Sequence, residues 1–446
     1  MSSTTSTTAR RDDARESPAA EHVGSCGVLG DPGMRLLAGP RRSEGMERLR
    51  SHRTRLGQLE LGHPDMLLQM IADSGLLGRG GGQFPIARKL ELAATSRGHA
   101  LVVVNASEGE PASEKDRTLL GHRPHLVLDG AMAAAWAVGA REVVVYLHRA
   151  RRGATAALEL AVAERRDDCA TVRLVDAPMG YVAGESSAVV SFLDGTGAIP
   201  RKRALPAAAF GVAGRPTVVN NVETIAHLGL IARFGPAWFA EAGDRRSPGS
   251  TLVTIAGEVP APGTVAEVVG TRTIGQALGS IAQLDRVPKA VLIGGYEGTW
   301  LDGETAWETP LTRGPLAACG ASLGCGVLAV LAEGSCGLRT TALLVRWLAG
   351  ESAGQCGPCV FGLPTLADTL DDLARGCGDR RDVRRLRILT ASVHGRGACG
   401  HPTGVASLVD SALDAFAEDV DRHARGRACE DAAAGFPLRA KGLESP

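Results

Sequence analysis

The segment ESAGQCGPC, residues 351–359, contains two cysteines at a spacing that suits metal binding. Two residues separate Cys356 from Cys359, and this spacing lets two thiolates of one turn bind the same ion or cluster. A tetrahedral or cuboidal centre needs four ligands. Three residues before Cys356, where another cysteine of such a run would fall, the chain has Ala353. The segment therefore predicts either a metal centre that lacks a ligand or no metal centre at all.

A glycine-rich stretch, GRGGGQFP at residues 78–85, is a second candidate for chemistry. It follows a helical pattern rather than a strand, which argues against a Rossmann dinucleotide fingerprint. Its backbone N–H groups could still face an anion or a planar ring, and Arg79 and Lys89 supply positive charge nearby. A purely structural turn explains the stretch equally well.

Acidic and amide side chains follow a buried strand in the segment NASEGEP, residues 105–111. Ligands of open α/β sheets bind beyond the carboxyl ends of the strands. Asn105, Glu108 and Glu110 are therefore placed where they could contact one, although a solvated acidic loop is an alternative interpretation.

Two further polar segments share this ambiguity, YVAGESSA at 181–188 and TVVNNVET at 217–224. Amide side chains both donate and accept hydrogen bonds. Asn220 and Asn221 could therefore bind the carbonyl and N–H edge of a heterocycle. Each segment alone is a weak indication.

The elements that must position these residues change in character along the chain. Apolar strands such as ALVVVNA and EVVVYL alternate with helices, which predicts an α/β fold with a parallel sheet covered on both faces. Short strands with little helix follow, and the chain is helical after Cys336, with the cysteine pair in a break between helices. We predict a mostly disordered arm at 1–60, an α/β domain at 61–247, a small β-rich domain at 248–335, a helical domain at 336–430 and a tail at 431–446.

Composition limits the classes of function. Lys and Arg total 49, as do Asp and Glu, so no charge bias indicates nucleic-acid binding. No apolar run reaches the ~18 residues that a membrane span needs, and no secretory signal is apparent at the N-terminus. We therefore expect a cytoplasmic protein without direct membrane insertion. In that reducing compartment the 10 cysteines favour metal binding over a disulfide framework.

The motifs are more informative together than singly. GRGG-x-x-FP, N-x-x-E-x-EP-x-x-x-KDR, Y-x-x-GE-x-x-A, P-TVVNNVET and the cysteine pair with a distant Cys399 occur in this order. From about residue 65 to 425 the chain resembles the NADH-binding flavoprotein subunit of respiratory complex I and related subunits of NAD-reducing hydrogenases and formate dehydrogenases. The resemblance implies an oxidoreductase with an FMN-binding parallel-sheet domain, a β-grasp soluble-ligand-binding domain and a C-terminal helical bundle that carries a [4Fe–4S] cluster.

The resemblance also implies the residues of the flavin and nucleotide site. Backbone amides and Lys89 would neutralise the FMN phosphate, and Glu110 would face NADH and repel a 2′-phosphate. The residues that correspond by position are Gly78, Arg79, Gly80, Gly81, Lys89, Asn105, Glu108, Glu110, Tyr181, Gly184, Glu185, Asn220, Asn221 and Thr224.

For the cluster, the resemblance implies three cysteine ligands, Cys356, Cys359 and Cys399. In this chain 39 residues separate the last two, close to the family's spacing. A cluster with three thiolates either recruits another ligand for its fourth iron or loses that iron and becomes [3Fe–4S]. The candidates for a fourth ligand are Ser352, His394, His401, Cys325 and Cys336. We expect Cys26, Cys169, Cys377 and Cys429 to be small core or surface residues, and Cys319 is left open.

The chain departs from the family pattern mainly around the nucleotide. Gln83 stands where the family has a glycine, and Ser186 replaces a glutamate. Aromatic positions that sandwich adenine in the family correspond to Leu90 or Glu91 and to Leu205. Because base stacking contributes about 1–3 kcal/mol, we expect weak NADH binding.

Two functions remain open at this point. One is an iron–sulfur flavoprotein that passes electrons between NADH, or another donor, and a partner. That partner would be a ferredoxin-like protein or another redox subunit, because the chain has no further ferredoxin-like cysteine set. The alternative is a binding or scaffold subunit that keeps the fold and has lost NADH oxidation.

Overall fold

The structure, a computed structural model, describes residues 27–28, 34–148, 152–165, 168–202 and 205–429. Its strands are β1 (Gly27–Val28), β2 (Leu101–Ala106), β3 (Glu142–Leu147), β4 (Thr171–Asp176), β5 (Thr217–Asn221), β6 (Gly243–Asp244), β7 (Ser247–Pro248), β8 (Ser250–Gly257), β9 (Thr264–Val269), β10 (Ala290–Ile293), β11 (Thr299–Asp302) and β12 (Val327–Leu331).

Its α-helices are α1 (Leu49–Leu56), α2 (Pro64–Ser74), α3 (Ile86–Thr95), α4 (Lys115–His122), α5 (Pro124–Val138), α6 (Arg152–Glu164), α7 (Ser186–Leu193), α8 (Val222–Ala240), α9 (Ile274–Ala282), α10 (Gly303–Glu308), α11 (Arg313–Ala318), α12 (Gly337–Gly350), α13 (Leu363–Ala374), α14 (Arg380–Val393), α15 (His401–Ala415) and α16 (Ala417–His423). Cys26 and the tail from residue 430 lie outside the described residues.

The predicted parallel sheet is present in the first domain. Its four strands lie in the order β4-β3-β2-β5, and every neighbouring pair is parallel. The strands are apolar because both faces are covered. On β2, Val102 and Val104 pack into the cluster that contains α5 and α8, while Leu101 and Val103 pack on the opposite side with Val189 of α7.

Helices α5 and α8 approach each other closely beneath this sheet. A Cβ atom added at Gly130 of α5 would lie 1.7 Å from the carbonyl oxygen of Ile225 in α8. Only glycine allows the two backbones to meet at this distance. The contact fixes α8, whose N-terminus follows directly from the polar end of β5.

The second domain is a mixed sheet in the order β1-β9-β8-β12-β10-β11, in which only β8 and β12 pair in parallel. The prediction of little helix here was wrong, because α9, α10 and α11 lie between its strands. Helix α9 has a complete capping box, in which the Thr273 hydroxyl accepts from the Gln276 amide at 3.1 Å. Its apolar face packs on the sheet with Leu278 fully buried.

The third domain is the predicted helical bundle, α12 to α16 around Leu344, Leu366 and Leu408. The short π-helical turn Pro358–Gly362 carries Cys359 and leads directly into α13. Helix α15 packs on β11 of the second domain, where the Trp300 amide donates to the Ser411 hydroxyl at 3.1 Å.

The prediction of a disordered arm up to residue 60 was wrong for residues 34–60. The Glu267 carboxylate accepts three backbone hydrogen bonds, from Arg35 at 2.9 Å, Leu36 at 2.9 Å and Leu37 at 3.1 Å. These bonds, and the burial of both leucines, pin the segment against the second domain. The polar composition of this segment gave no indication of these contacts. Within the described part of the chain no helix is both long and apolar enough to cross a membrane.

Candidate functional site

A cavity of about 590 Å³ lies at the carboxyl ends of β2 and β5. Residues of the glycine-rich loop, the 105–111 segment and the start of α8 line it. Gly294, Glu297 and Gly298 of the second domain and residues 399–401 of the third also line it. All residues predicted for the flavin and nucleotide site line this cavity, with the exception of Arg79. The sheet thus gathers segments that are distant in sequence, as expected for an open α/β fold.

The side chain of Arg79 joins two domains instead of facing the cavity. Its Nη2 donates to the carbonyl oxygens of Pro248 at 3.1 Å and Ser250 at 3.2 Å. Its backbone N–H donates to Thr224 Oγ1 at 2.9 Å. Arg79 therefore fixes the start of the glycine-rich loop, and its side chain does not line the cavity.

Lys89, on α3, places a positive charge at the cavity wall. Its Nζ donates to Val219 O at 3.2 Å and Asn220 Oδ1 at 3.4 Å. No ion pair with a described carboxylate involves Lys89, and burial lowers the pKa of its ammonium group. A partly buried cation with only neutral acceptors is suited to an anionic ligand such as a phosphate.

Asn220 provides the clearest indication of an organic ligand. Its side chain is buried at 4% exposure, and its Nδ2 has no hydrogen-bond partner in the described residues. An unpaired buried amide costs about 1–3 kcal/mol. A ligand carbonyl or ring nitrogen in the cavity would remove that cost, so the residues present fit a flavin.

Asn221, in contrast, is committed to the protein. Its Oδ1 accepts from Lys115 Nζ at 2.7 Å and from the Glu223 amide at 3.1 Å, and thereby caps α8. Its Nδ2 donates to Asp116. Of the two adjacent asparagines, only Asn220 therefore keeps a free donor for a ligand.

Lys115 and Asp116 also line the cavity and were not assigned to the site from sequence. Lys115 is buried and pairs with Asp116 at 2.9 Å and with Glu223 at 3.0 Å. These carboxylates raise the pKa of Lys115 although its burial opposes the shift. The Lys-Asp-Arg part of the sequence motif, residues 115–117, could have indicated this network from the sequence.

Three other predicted residues act mainly through the backbone of the cavity loops. Glu108 accepts from the Asp116 amide at 2.9 Å at the start of α4, and Glu185 caps α7 by accepting from the Ser187 amide at 2.8 Å. Asn105 Nδ2 donates to the Gly184 carbonyl at 2.7 Å. These hydrogen bonds fix the positions of the loops that line the cavity.

Glu110 is a buried carboxyl group at the boundary between the domains. It accepts from the Tyr296 amide at 2.8 Å and the Ala112 amide at 3.1 Å, and the Tyr181 hydroxyl lies 3.4 Å away. Burial raises the pKa of Glu110 to about 7, in spite of these hydrogen bonds. This group changes its charge near neutral pH within the cavity.

Only some of the residues expected to weaken nucleotide binding lie in the cavity. Gln83 and Ser186 line the cavity, and Gln83 adopts φ +42°, a conformation that favours glycine. Phe84 also lines it and is 47% exposed. Leu90 is instead part of the hydrophobic core and Leu205 is an exposed residue, so neither side chain lines the cavity.

The three predicted cluster cysteines come together at the border of the third domain. Cys356 and Cys359 lie on one turn, in which the Val360 amide donates to the Cys356 carbonyl at 2.9 Å. Interactions with Cys359 and the Ala398 backbone lower the pKa of Cys356 although burial opposes the shift, whereas burial raises the pKa of Cys359 to about 12. Cys399 itself lines the cavity, so the three predicted cluster cysteines lie next to the cavity.

A second set of potential metal ligands, Cys336, His423 and Cys429, lies within the helical bundle. Cys336 Sγ is 3.4 Å from His423 Nε2, which is 3.2 Å from Cys429 Sγ. We expected Cys429 to be a small core or surface residue, and its thiol instead lies close to two other potential metal ligands. Of the described residues, this is the one set of His, Cys or carboxylate side chains whose ligand atoms all lie within 4.8 Å. The cluster cysteines are more widely spread, as several irons require and a single ion does not.

Comparison with protein families gives two matches along the chain. Residues 71–229 match the Nuo51 FMN-binding domain, and residues 339–423 match the NADH-ubiquinone oxidoreductase-F iron-sulfur binding region. The first range contains the glycine-rich loop, Lys89 and Asn220. The second contains all three cluster cysteines.

Individual relatives agree with these matches. The F-type subunit of the NADH-quinone oxidoreductase of Streptomyces coelicolor is 33% identical over 82% of this chain and 84% of its own length. A second such protein, an F-type subunit from Rhizobium meliloti, is 30% identical over 82% and 90%. Among solved structures, an NAD+-reducing [NiFe]-hydrogenase in the H2-reduced state matches with a TM-score of 0.75 and 30% identity. That match covers 81% of this chain, which spans 63% of the hydrogenase chain.

Proposed function

Because the chain belongs to the family of F-type subunits of NADH-quinone oxidoreductases, we propose that it transfers electrons from NADH to a redox partner through FMN and an iron–sulfur cluster. One observation carries the proposal. Cys399, a predicted cluster ligand, lines the same cavity as Lys89 and Asn220, the residues best suited to a flavin. Two redox groups bound at these positions would be neighbours.

Different residues bind different parts of FMN. Lys89 and the backbone of the glycine-rich loop bind the phosphate, and the free Nδ2 of Asn220 donates to the ring system. Asn105, Glu185 and Asn221 keep the surrounding loops in place. When bound, FMN accepts a hydride from NADH and returns the two electrons one at a time.

The nucleotide enters through the part of the cavity that contains Gln83 and Phe84. The Phe84 ring is partly exposed and offers a surface for stacking. Glu110 accepts hydrogen bonds from ribose hydroxyls and disfavours a 2′-phosphate once it is ionised. Gln83 narrows the entry, so NADH binds more weakly than a glycine at this position would allow.

A cluster held by Cys356, Cys359 and Cys399 would supply electrons to a separate protein, a ferredoxin-like or other redox subunit. The names of the relatives describe subunits, which supports a partner of this kind. All described cysteines are free thiols, which suits the reducing cytoplasm that we propose as the compartment.

Anaerobic stopped-flow spectroscopy tests this function on the full chain loaded with FMN, iron and sulfide. Mixing with NADH should bleach the flavin absorbance first and the broad cluster absorbance afterwards, with half-saturation at the upper end of the ordinary range of about 1 μM–1 mM. A loaded protein whose flavin is not reduced by NADH would instead support the scaffold function.

A further inference from the structure

Two cysteines and a histidine converge within the helical bundle, outside the lining of the flavin cavity. Cys336 is the N-cap residue of α12, His423 is the last residue of α16, and Cys429 follows six residues later. Their ligand atoms all lie within 4.8 Å of one another. The fold therefore brings the beginning and the end of the third domain to one point.

The distances between these atoms suit a single tetrahedral ion. Cys336 Sγ and Cys429 Sγ lie 3.4 Å and 3.2 Å from His423 Nε2. With Zn–S bonds of about 2.3 Å and a Zn–N bond of about 2.0–2.1 Å, the sulfur and nitrogen corners of a zinc tetrahedron are about 3.5 Å apart. Its two sulfur corners are about 3.8 Å apart, and the two sulfur atoms here are separated by no more than 4.8 Å. Small side-chain adjustments would therefore accommodate the ion.

Hydrogen bonding alone does not account for this convergence. A neutral histidine that accepts at Nε2 has one lone pair there. Two thiols and the Cys429 amide, which is 3.3 Å away, all face Nε2 of His423. His423 is fully buried, so solvent does not compete for this nitrogen. One cation bound to Nε2 and to both sulfur atoms would satisfy the three side chains together.

Two arginines position Cys429 and favour its ionised form. Arg422 Nη2 donates to Cys429 Sγ at 2.8 Å, and Arg339 Nη1 donates to the Cys429 carbonyl at 2.8 Å. The thiolate is the form of cysteine that binds metal ions, and a neighbouring guanidinium group stabilises it. Arg339 lies on α12, the helix that begins at Cys336, so it holds the segment after α16 next to the other cysteine.

We propose that Cys336, His423 and Cys429 bind one Zn²⁺ ion, which joins the two ends of the helical bundle. Thiolate and imidazole ligands suit Zn²⁺ and not the oxygen-preferring ions Mg²⁺ and Ca²⁺. Water takes the fourth coordination position, because the Asp419 carboxylate is already paired with Lys289 at 2.7 Å. Each S–H bond is replaced by a Zn–S bond, its proton is released to solvent, and no electron is transferred. The site requires neither FMN nor an iron–sulfur cluster, so it goes beyond the proposed function.

The test titrates the reduced, chelator-treated full chain with Zn²⁺, and separately with Co²⁺, whose sulfur-to-cobalt absorbance bands report thiolate ligation. Cys336→Ser, His423→Ala and Cys429→Ser each remove one ligand. Cys377→Ser changes an exposed thiol and Cys356→Ala a predicted cluster thiol, and both serve as controls. The wild type and both controls should bind Zn²⁺ at this site. Each ligand variant should bind it more than about 100-fold more weakly, since outer-shell changes alone cost 10–100-fold.

Thermal unfolding gives a second readout. Zn²⁺ should raise the melting temperature of the wild type and of Cys356→Ala but not that of Cys429→Ser. Circular dichroism reports folding, and the partly exposed Cys429 provides the variant least disruptive to the bundle. Wild type that binds no zinc, or ligand variants that bind it as tightly as the wild type, would overturn the proposal. Loss of zinc in Cys356→Ala alone would also overturn it, because the ion would then lie at the predicted cluster cysteines.

Discussion

The flavin cavity and the turn that carries the cluster cysteines are neighbours. The cavity contains polar groups without partners, whereas the turn supplies too few ligands. The cavity has an unpaired donor, Asn220 Nδ2, and a cation, Lys89, that lacks an ion-pair partner among the described residues. The cluster turn lacks a ligand, because Ala353 replaces a cysteine. A cavity with surplus donors is stabilised by its cofactor, whereas a turn with three thiolates must recruit a further ligand or lose iron.

The comparison shows how differently the two sites tolerate substitution. The cavity is built from many separate contacts, and several of its polar residues cap helices, so no single change need empty it. The cluster depends on a few covalent ligands held in one short turn and one loop. We therefore expect single substitutions to act in an all-or-none way at the turn and by degrees in the cavity.

The largest effect is expected at the turn. Cys356→Ala should abolish binding of the cluster, because the two thiolates that remain cannot hold it. FMN content should stay near that of the wild type. Iron and sulfide analysis with visible absorbance would measure both. The exposed Cys377→Ala is the matched control and should retain full iron.

A graded effect is expected at the phosphate position. Lys89→Ala should weaken FMN binding roughly 10- to 100-fold, since a hydrogen bond to a charged group contributes about 1.5–3 kcal/mol. Fluorescence titration of the apoprotein with FMN would measure the change. Arg88→Ala, exposed on the same helix, should bind FMN as the wild type does. Equal affinity in both variants would remove Lys89 from the site.

A smaller, favourable effect is expected at the nucleotide entry. Gln83→Gly should lower the half-saturating NADH concentration severalfold, because it widens the cavity and relieves a positive φ. Gln283, which ends α9 at φ +56° away from the cavity, provides a control for the backbone effect. If Gln283→Gly lowered the NADH requirement equally, the change would not report cavity size.

The smallest effect concerns pH. The pKa of Glu110 is raised by burial to about 7 in the folded protein, above its usual value of 4.5. Its contribution to stability is therefore fully present below about pH 4.5 and is lost as pH rises through about 7. Melting temperatures across this window should fall less steeply for Glu110→Gln than for the wild type. The exposed Glu333→Gln should follow the wild-type slope, and parallel slopes for all three proteins would contradict the assignment.

The sequence predicted the architecture well because apolar strands and motif order depend on local pattern. The parallel sheet and the segments that line the cavity were both anticipated. Helix α14 was not identified individually within the predicted helical domain, because its arginine-rich first half obscures the apolar face that contains Leu386 and Val393. The anchoring of residues 34–60 depends on Glu267, more than 200 positions away, which no local pattern reveals.

The roles of individual polar residues were harder to predict. A motif shows that a polar side chain belongs to the site, but not whether it faces the ligand or the backbone. Arg79 and Asn221 were expected at the cofactor and instead bind the second domain and the α8 terminus. Cys429 was expected to be a small core or surface residue. Its thiol instead lies close to His423, six residues earlier, and to the distant Cys336.

We expect one chain to hold FMN and an iron–sulfur cluster side by side. The most direct measurement is the absorbance spectrum of anaerobically purified full-length protein, together with FMN, iron and sulfide analysis of the same sample. We predict flavin bands superimposed on broad cluster absorbance, with about one FMN per chain and iron and sulfide in cluster proportions. A colourless protein that binds neither cofactor after reconstitution would contradict the account.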